Sequence, residues 1–397
     1  MKFLPRSAWE TRAGLIELLD ALGVDQGDTR FVGGFVRDTL LGSDSADIDC
    51  ATRLKPEQVV ERATESGFKV VPTGIAHGTV TAVLPSGPIE ITTLRRDVAT
   101  DGRRATIAYT EDWRADAARR DFTINALSAD PRTGQIHDYF GGLDDLDAGE
   151  VRFIGDPLTR IAEDHLRILR FFRFHARFGK NPPDAGAIAA CAARANDLMT
   201  LSRERIADEL VKLMALPDPS GTVAMMTLNG IFPPILPEIT DDAADRLSAL
   251  IAAEGAAGIA PDPLRRLAAL LPPDPGTAFA IAKRFKLSNT ACKRLFAATG
   301  PTDPLQAQAL AYRIGRESAI DRLLLGGYPA TARDLSDWPV PRLPISGGAL
   351  VARGLREGPA VAATLNAIED RWIAEGFPNR PRVEEIADEL VRRALAD

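Results

Sequence analysis

The N-terminal third of the chain alternates short strand patterns with short helical ones. The stretch GTVTAVLPSGPIEITTLR, residues 78–95, alternates apolar and polar positions with period two on both sides of a Pro-Ser-Gly turn, which is typical of a hairpin. Upstream, RFVGG predicts a strand that enters a turn, VRDTLLG a short helix, and ADIDCAT a second strand. Residues 30–139 are therefore expected to form a small mixed α/β unit.

Beyond residue 150 the spacing of apolar positions becomes helical, and Pro/Gly-rich stretches such as LPDPSG and LLPPDPG separate the segments. The segments with this spacing are 157–178, 203–215, 241–254, 263–271, 278–287 and 360–375. The predicted fold class is therefore α+β, with a small N-terminal α/β head followed by an all-helical remainder.

Charge and cysteine content narrow the class of protein. The formal net charge of −7 excludes a uniformly basic surface but allows local basic clusters, which are what nucleic-acid binding requires. Cys50, Cys191 and Cys292 show no paired spacing, so neither a zinc site nor a disulfide framework is predicted. With no signal-like start and no apolar run long enough for a bilayer, we expect a cytoplasmic protein without a membrane partner.

The stretch FVGGFVRDTLLGSDSADIDCAT, residues 31–52, carries the clearest chemistry. Asp47 and Asp49 stand two positions apart, so on a strand both carboxylates leave the same face and can bind hard divalent cations. Gly33 and Gly34 precede a helix and let backbone amides approach a phosphate, to which Arg37 can donate hydrogen bonds. This combination suits metal-assisted phosphoryl transfer, whereas either feature alone would more often be an ordinary turn.

This stretch closely resembles the signature of the class II nucleotidyltransferases of the DNA polymerase β superfamily, which include CCA-adding enzymes and bacterial poly(A) polymerases. PTGIAHGTVTAVL, IEITTLRRD, RRDFTINAL and GDPLTRIAEDHLRILRFFRF follow in the family's order, so the resemblance covers residues 30–215 strongly. It implies a nucleotidyltransferase head at 1–139, a helical neck at 140–215, a helical body at 216–330 and a helical tail at 331–397.

The segment after Asp156-Pro157 predicts one long amphipathic helix with two distinct faces. An ordinary solvated helix with internal ion pairs would show a similar charge run. Basic residues nevertheless exceed acidic ones here, in a chain that is acidic overall, which favours a polyanionic partner. The predicted polar face consists of Arg160, Glu163, Asp164, Arg167 and Arg170.

Asp164 and Arg167 can select a base. A carboxylate accepts from the exocyclic amine of cytosine or adenine, and a guanidinium donates to the adjacent ring nitrogen. Uracil and guanine present the reverse pattern and would be repelled at both positions. The resemblance assigns the same role to the motif that Glu163, Asp164 and Arg167 match in this chain.

The resemblance also implies the remaining site residues. Glu90 would be a third metal carboxylate or the group that polarises the attacking 3′-hydroxyl. The alternative is an exposed strand glutamate without a catalytic role. Residues 95–114 resemble the flexible loop used between C and A addition. Asp121 could equally be a structural helix cap. The implied catalytic residues are Asp47, Asp49 and Glu90, and the implied nucleotide-binding residues are Gly33, Gly34, Arg37, Asp38, Arg120, Asp121, Asp164, Arg167, Arg170 and Arg173.

The sequence thus favours a CCA-adding tRNA nucleotidyltransferase that uses CTP, ATP and Mg²⁺ bound at Asp47 and Asp49, with tRNA as its macromolecular partner and no obligate protein partner. The alternatives are a bacterial poly(A) polymerase and a partial enzyme that adds only CC or only A. A non-catalytic RNA-binding module is disfavoured because Asp47 and Asp49 are both retained.

Overall fold

A computed structural model describes residues 2–6, 8–43, 47–100 and 105–396. The chain divides into the compact units Met1–Pro237 and Glu238–Asp397. The strands are β1 Thr29–Val32, β2 Asp49–Thr52, β3 Lys69–Gly74, β4 Thr79–Leu84, β5 Gly87–Thr93, β6 Arg95–Thr100, β7 Ala105–Tyr109, β8 Ser128–Ala129 and β9 Ile136–His137.

Helices occupy both units. Those of the first unit are α1 Leu15–Ala21, α2 Gly34–Leu40, α3 Pro56–Glu65, α4 Trp113–Ala118, α5 Gly142–Ala148, α6 Pro157–Glu163, α7 Arg167–Phe178, α8 Ala185–Ala193, α9 Arg203–Met214 and α10 Ser220–Leu228. Those of the second are α11 Ala243–Ala257, α12 Pro263–Leu270, α13 Pro275–Arg284, α14 Asn289–Ala298, α15 Ala307–Ile314, α16 Arg316–Leu325, α17 Pro329–Ser336, α18 Gly347–Val351, α19 Pro359–Ala374 and α20 Arg380–Ala396. The α+β prediction is confirmed. None of these helices, over the residues described, is long and apolar enough to cross a membrane.

The head is built on a mixed sheet. Over the described residues its strand order is β3-β4-β5-β2-β1-β8-β9. Strands β2 and β5 run parallel and bring Asp49 opposite Glu90, while β4 and β5 form the expected hairpin. Ile48 and Cys50 are buried, so the alternation around Asp49 follows the predicted pattern. The strand itself begins at Asp49, and Asp47 lies just before it.

Aromatic packing joins the segments around Phe122 and Phe153 to α7. Phe122 lies 4.9 Å from Phe153 and 5.3 Å from Phe174, measured between ring centroids. Phe153 stacks on Phe171 of α7 at 5.5 Å. Fully burying a phenylalanine contributes about 1.5–3 kcal/mol, so this cluster firmly holds the segment around residue 121 against α7.

The helix predicted for 157–178 is wrong in one respect. α6 ends at Glu163, Asp164 is extended with φ −150° and ψ 107°, and α7 begins at Arg167. The Arg167 guanidinium donates back to the Arg160 carbonyl at 2.8 Å, which satisfies a carbonyl left open by the end of α6. The predicted cap is present, because Asp156 accepts from the Thr159 N–H at 2.8 Å.

Two further predictions need correction. Residues 95–114, expected to be a loop, include the paired strands β6 and β7, while Gly102 lies outside the described residues. Arg120 and Asp121 do not open an α-helix, because a short 3₁₀ turn at Thr123–Asn125 follows them instead. The sequence did not predict these strands because their many polar residues are typical of a loop. In the described part of the chain β6 pairs only with β7, outside the main sheet.

The second unit has its own apolar and ionic cores. Arg265 donates to Glu254 at 2.7 Å and to Asp321 at 2.8 Å, and Arg266 donates to Glu254 at 2.9 Å, all four side chains being buried. Nearer the C-terminus, Leu350, Ile368, Trp372 and Ile386 pack in one apolar cluster. The predicted divisions at residues 139, 215 and 330 stay predictions.

Candidate active site

A cavity of about 370 Å³ opens in the first unit among the start of α2, the start of β2, the segment around residue 121 and the start of α7. Its walls come from four separate stretches of the chain. The lining residues are Gly33, Gly34, Arg37, Asp49, Arg120, Asp121, Asn125, Asp164, Arg167 and Arg170. Nine of these were predicted as site residues from the sequence, and the fold brings them into one cavity.

Gly33 shapes the cavity beside Arg120. Its φ of +65° favours glycine, and a Cβ built there would lie 2.7 Å from the Nη1 atom of Arg120. Asp116 anchors the other side of the guanidinium, with 3.5 Å between its Oδ2 atom and Arg120 Nη2. Burial lowers the pKa of Arg120, and Asp116 opposes that shift. A side chain at position 33 would displace this arginine.

Arg37 forms part of the cavity wall and is almost fully buried. It donates to the Asn125 side-chain oxygen, its Nε atom donates to Asp38 at 2.9 Å, and its guanidinium lies 4.4 Å from the centre of the Phe178 ring. Asp38 also pairs with Arg177 at 3.2 Å. These contacts hold Arg37 in one orientation. Asp38 does not line the cavity itself but supports Arg37 through the hydrogen bond that it accepts from Nε.

The carboxylates of β2 and β5 form the acidic edge of the site. Burial raises the pKa of Asp49 to about 6, with repulsion from Glu90 and Asp47 adding to the shift and Arg120 opposing it. A cation would relieve exactly that repulsion, so the donor set fits a hard divalent metal. Among the described residues no three His, Cys, Asp or Glu side chains form a closed metal site. Mg²⁺ sites typically use one or two carboxylates and complete their shell with substrate phosphates and water.

Asp121 links the cavity floor to α7. Its Oδ2 atom accepts from Arg170 Nε at 2.7 Å and lies 2.6 Å from Nη2, while Oδ1 accepts from the Asn125 side chain at 2.9 Å. Burial alone would raise the pKa of Asp121, but Arg170 and these hydrogen bonds outweigh burial and lower it. Asp121 is thus a charged support for Arg170, and it does not cap a helix.

Asp164 and Arg167 line the same cavity as Asp49. Arg167 is buried, and described residues accept three of its five N–H groups: Glu163 at 2.6 Å, the Arg160 carbonyl, and the Arg119 carbonyl at 3.0 Å. Asp164 keeps about a third of its side chain exposed and pairs with Arg205 of α9 at 3.0 Å. Two residues of the predicted polar face, Arg160 and Arg167, are buried, so the alternative of an ordinary solvated helix does not describe them.

Some predicted residues lie outside the cavity lining, taken over the described part of the chain. Arg173 donates to Glu209 at 2.6 Å, and Asp38, Asp47 and Glu90 do not line the cavity either. Sequence reasoning missed Asn125, Arg205 and Glu209. Arg205 and Glu209 stand four positions apart on α9, a spacing typical of an ion pair within one helix. Each nevertheless contacts a residue on another element.

The chain was compared with known proteins. The model of the Poly A polymerase head domain matches residues 29–152, and that of the probable RNA and SrmB-binding site of polymerase A matches 185–242. The human mitochondrial CCA tRNA nucleotidyltransferase 1 is 33% identical over 385 residues, which cover 92% of this chain and 87% of that protein. The CCA-adding enzyme of Oceanobacillus iheyensis is 42% identical over 185 residues, 46% of this chain and 45% of that protein.

A solved structure of the Bacillus stearothermophilus CCA-adding enzyme in complex with CTP shares the fold, with a TM-score of 0.75 at 24% identity over 96% of this chain and 99% of that one. The mixed sheet that carries Asp49 and Glu90 on neighbouring strands, with the arginine-rich cavity, is that of a nucleotidyltransferase, a class whose chemistry depends on a divalent metal. Because the similarity to the human protein spans nearly the whole chain, the chain belongs to the family of CCA-adding tRNA nucleotidyltransferases.

Proposed function

We propose that this protein adds C, C and A to the 3′ end of tRNA, using CTP and ATP. The observation that carries the proposal is that one cavity is lined by Asp49, the proposed metal ligand, and by Asp164 and Arg167, the proposed base-reading pair. Its volume of about 370 Å³ is within the range of small-molecule sites. The relatives named as CCA-adding enzymes support the same activity.

The acidic edge supports the chemical step. Asp47 and Asp49 would hold Mg²⁺, which when bound supplies charge stabilisation for the reacting phosphate oxygens. The terminal 3′-hydroxyl oxygen of the tRNA forms a bond to the α-phosphorus, and the bond from that phosphorus to the departing pyrophosphate breaks. Glu90, which pairs with Asp49 in the sheet register, would accept the proton that the hydroxyl loses.

The pair Asp164 and Arg167 supports base selection. Asp164 would accept from the amine of cytosine or adenine, and Arg167 would donate to the neighbouring ring nitrogen. The acceptors from Glu163, Arg160 and Arg119 hold the Arg167 guanidinium in one orientation, so its remaining N–H groups point in a defined direction. One pair can therefore serve both bases without a nucleic-acid template.

The arginines support binding of the nucleotide's phosphates and ribose. Arg120 and Arg170 line the cavity, and Asp116 and Asp121 hold them in place. Arg37 has its guanidinium engaged by Asn125 and Asp38, so we assign it to the wall near Gly33 and Gly34. Charge-assisted hydrogen bonds from such fixed guanidinium groups suit a polyphosphate.

The three cysteines support a reducing compartment, and we propose the cytoplasm. Cys50, Cys191 and Cys292 are all buried free thiols. Disulfides are rare where thiols are kept reduced, so this usage matches an intracellular enzyme.

The activity is tested on tRNA that lacks its 3′ CCA, incubated with Mg²⁺, CTP and ATP, followed by sequencing of the new ends. We expect addition of C, C and A and then a stop. Asp49→Asn is the inactive control, because it removes the charged metal ligand with little change in shape. A long A tail would indicate a poly(A) polymerase, and arrest after CC with ATP present would indicate a partial enzyme; either result would refute the proposal.

A further inference from the structure

Arg205 contacts Asp164 of the proposed base-reading pair, and the proposed function gives this contact no role. It lies one turn into α9, after Ser202 caps that helix by accepting from the Arg205 N–H at 3.4 Å. Its Nη2 atom lies 3.0 Å from Asp164 Oδ2 and 3.2 Å from Oδ1. A helix that is separate from α6 and α7 thus reaches the carboxylate that lines the cavity.

The backbone at Asp164 does little to restrain the side chain of that residue. Asp164 is extended between α6 and α7, so neither helix packs its side chain into a row of neighbours. The Leu166 N–H donates to Oδ1 at 3.2 Å, which restrains one oxygen. Arg205 contacts both oxygens, and this restrains rotation of the whole carboxylate.

The contact also leaves room for a base. An ionised carboxylate offers about four lone-pair positions. Arg205 and Leu166 together use three of them in the described structure, two on Oδ1 and one on Oδ2. A position on Oδ2 can therefore accept the exocyclic amine of cytosine or adenine while Arg205 stays in place.

The same helix supports a second cavity residue. Glu209, one turn beyond Arg205, accepts from Arg173 at 2.6 Å and lies 3.8 Å from Arg170, which lines the cavity. Residues four apart share one face of a helix. This face of α9 therefore contacts the nucleotide-facing side chains on two neighbouring elements.

We propose that Arg205 is a positioning residue for nucleotide selection: it holds the Asp164 carboxylate in the orientation that accepts an amine and repels a carbonyl oxygen. The inference rests on the proposed function. The pair is partly exposed, with 37% of the Arg205 side chain and 31% of the Asp164 side chain accessible. Such pairs contribute little to folding, so its removal should change selectivity much more than stability.

The test is single-nucleotide incorporation with CTP, UTP, ATP or GTP on tRNA that ends before the first C. In Arg205→Ala the preference for CTP over UTP, as a ratio of kcat/KM values, should fall about tenfold, the equivalent of losing one well-oriented hydrogen bond. The fall should come from a higher KM for CTP and better use of UTP. Arg205→Lys should recover part of the preference, because it keeps the charge. Lys212→Ala, on the same helix, should leave the preference unchanged, since Lys212 pairs with the exposed Asp208.

A double-mutant cycle separates positioning from general damage. If Arg205 acts through Asp164, Arg205→Ala should cause no further loss of preference in an Asp164→Ala background. An equal loss of rate with all four triphosphates, or fully additive effects, would overturn the inference. Circular dichroism checks folding, and if Arg205→Ala unfolds, Arg205→Gln is judged by the same criteria. Failure of the wild-type protein to add CMP would instead overturn the proposed function.

Discussion

Replacing Asp121 with alanine should destabilise the first unit by about 3 kcal/mol, because it removes the buried carboxylate that pairs with the partly buried Arg170. Asp121 is 7% exposed and accepts from Arg170 Nε at 2.7 Å. Breaking a buried pair typically costs about 3–5 kcal/mol through the charge left without a partner. Glu209 lies 3.8 Å from Arg170 and offsets part of that cost, which places the expected value at the lower end.

The pH dependence of this effect has a definite sign. The pKa of Asp121 is lowered in the folded protein, since Arg170 and hydrogen bonds outweigh the effect of burial. The unfolded chain therefore binds the proton more readily than the folded one. The stabilisation is complete above the ordinary aspartate pKa of about 4 and is lost as pH falls through the lower folded value. The difference between wild type and Asp121→Ala should be constant from about pH 5 to 8 and shrink below about pH 4.

Urea and thermal unfolding, followed by circular dichroism, measure the effect. For a unit of this size 3 kcal/mol corresponds to a fall in Tm of about 6–12 °C. Asp208→Ala is the control, because it breaks a pair with Lys212 in which both side chains are at least half exposed, and should change stability by less than about 0.5 kcal/mol. The reasoning is refuted if Asp121→Ala unfolds like Asp208→Ala, or if its loss of stability persists undiminished at pH 3.5.

Three further predictions concern nucleotide binding, metal binding and the segment 95–114 that contains β6 and β7. Gly33→Ala should raise KM for CTP and ATP about tenfold by straining a backbone at φ +65° and displacing Arg120, whereas Gly27→Ala, also at positive φ but facing open space, should not; equal KM values would contradict this. Because the pKa of Asp49 is about 6 without metal, the apparent Mg²⁺ affinity, measured by titrating activity, should fall about tenfold per pH unit below 6, and a constant affinity from pH 5 to 7 would disprove the coupling. Shortening residues 95–114 should spare addition of both C residues and impair addition of A in the sequencing assay; equal loss of both would count against a role in switching.

Some features of the site follow from the sequence because they depend on local pattern. The alternation around Asp49 places Ile48 and Cys50 in the core, and the structure has that arrangement. The period-two pattern on both sides of a Pro-Ser-Gly turn correctly predicts the hairpin of β4 and β5. Period and turn chemistry act over a few residues, so they can be read without knowing the fold.

Other features depend on contacts between residues far apart in the chain. A helical projection places Asp164 on one continuous face, but the chain leaves the helix there, and the Arg167 side chain satisfies the Arg160 carbonyl that the end of α6 leaves open. The sequence predicts Arg170 as a nucleotide-binding residue but does not predict its partner, Asp121, which packs near α7 where Phe122 contacts Phe174.

Arg205 shows most clearly what only the tertiary structure decides. It stands four residues before Glu209, a spacing at which ion pairs within one helix are common, whereas the fold directs Arg205 to Asp164 and Glu209 to Arg173. A charged side chain has several partners within reach of its own helix, and their energies differ little at a solvated surface. The choice among them is made by burial and by the approach of another element, and neither is encoded in the periodicity of one segment.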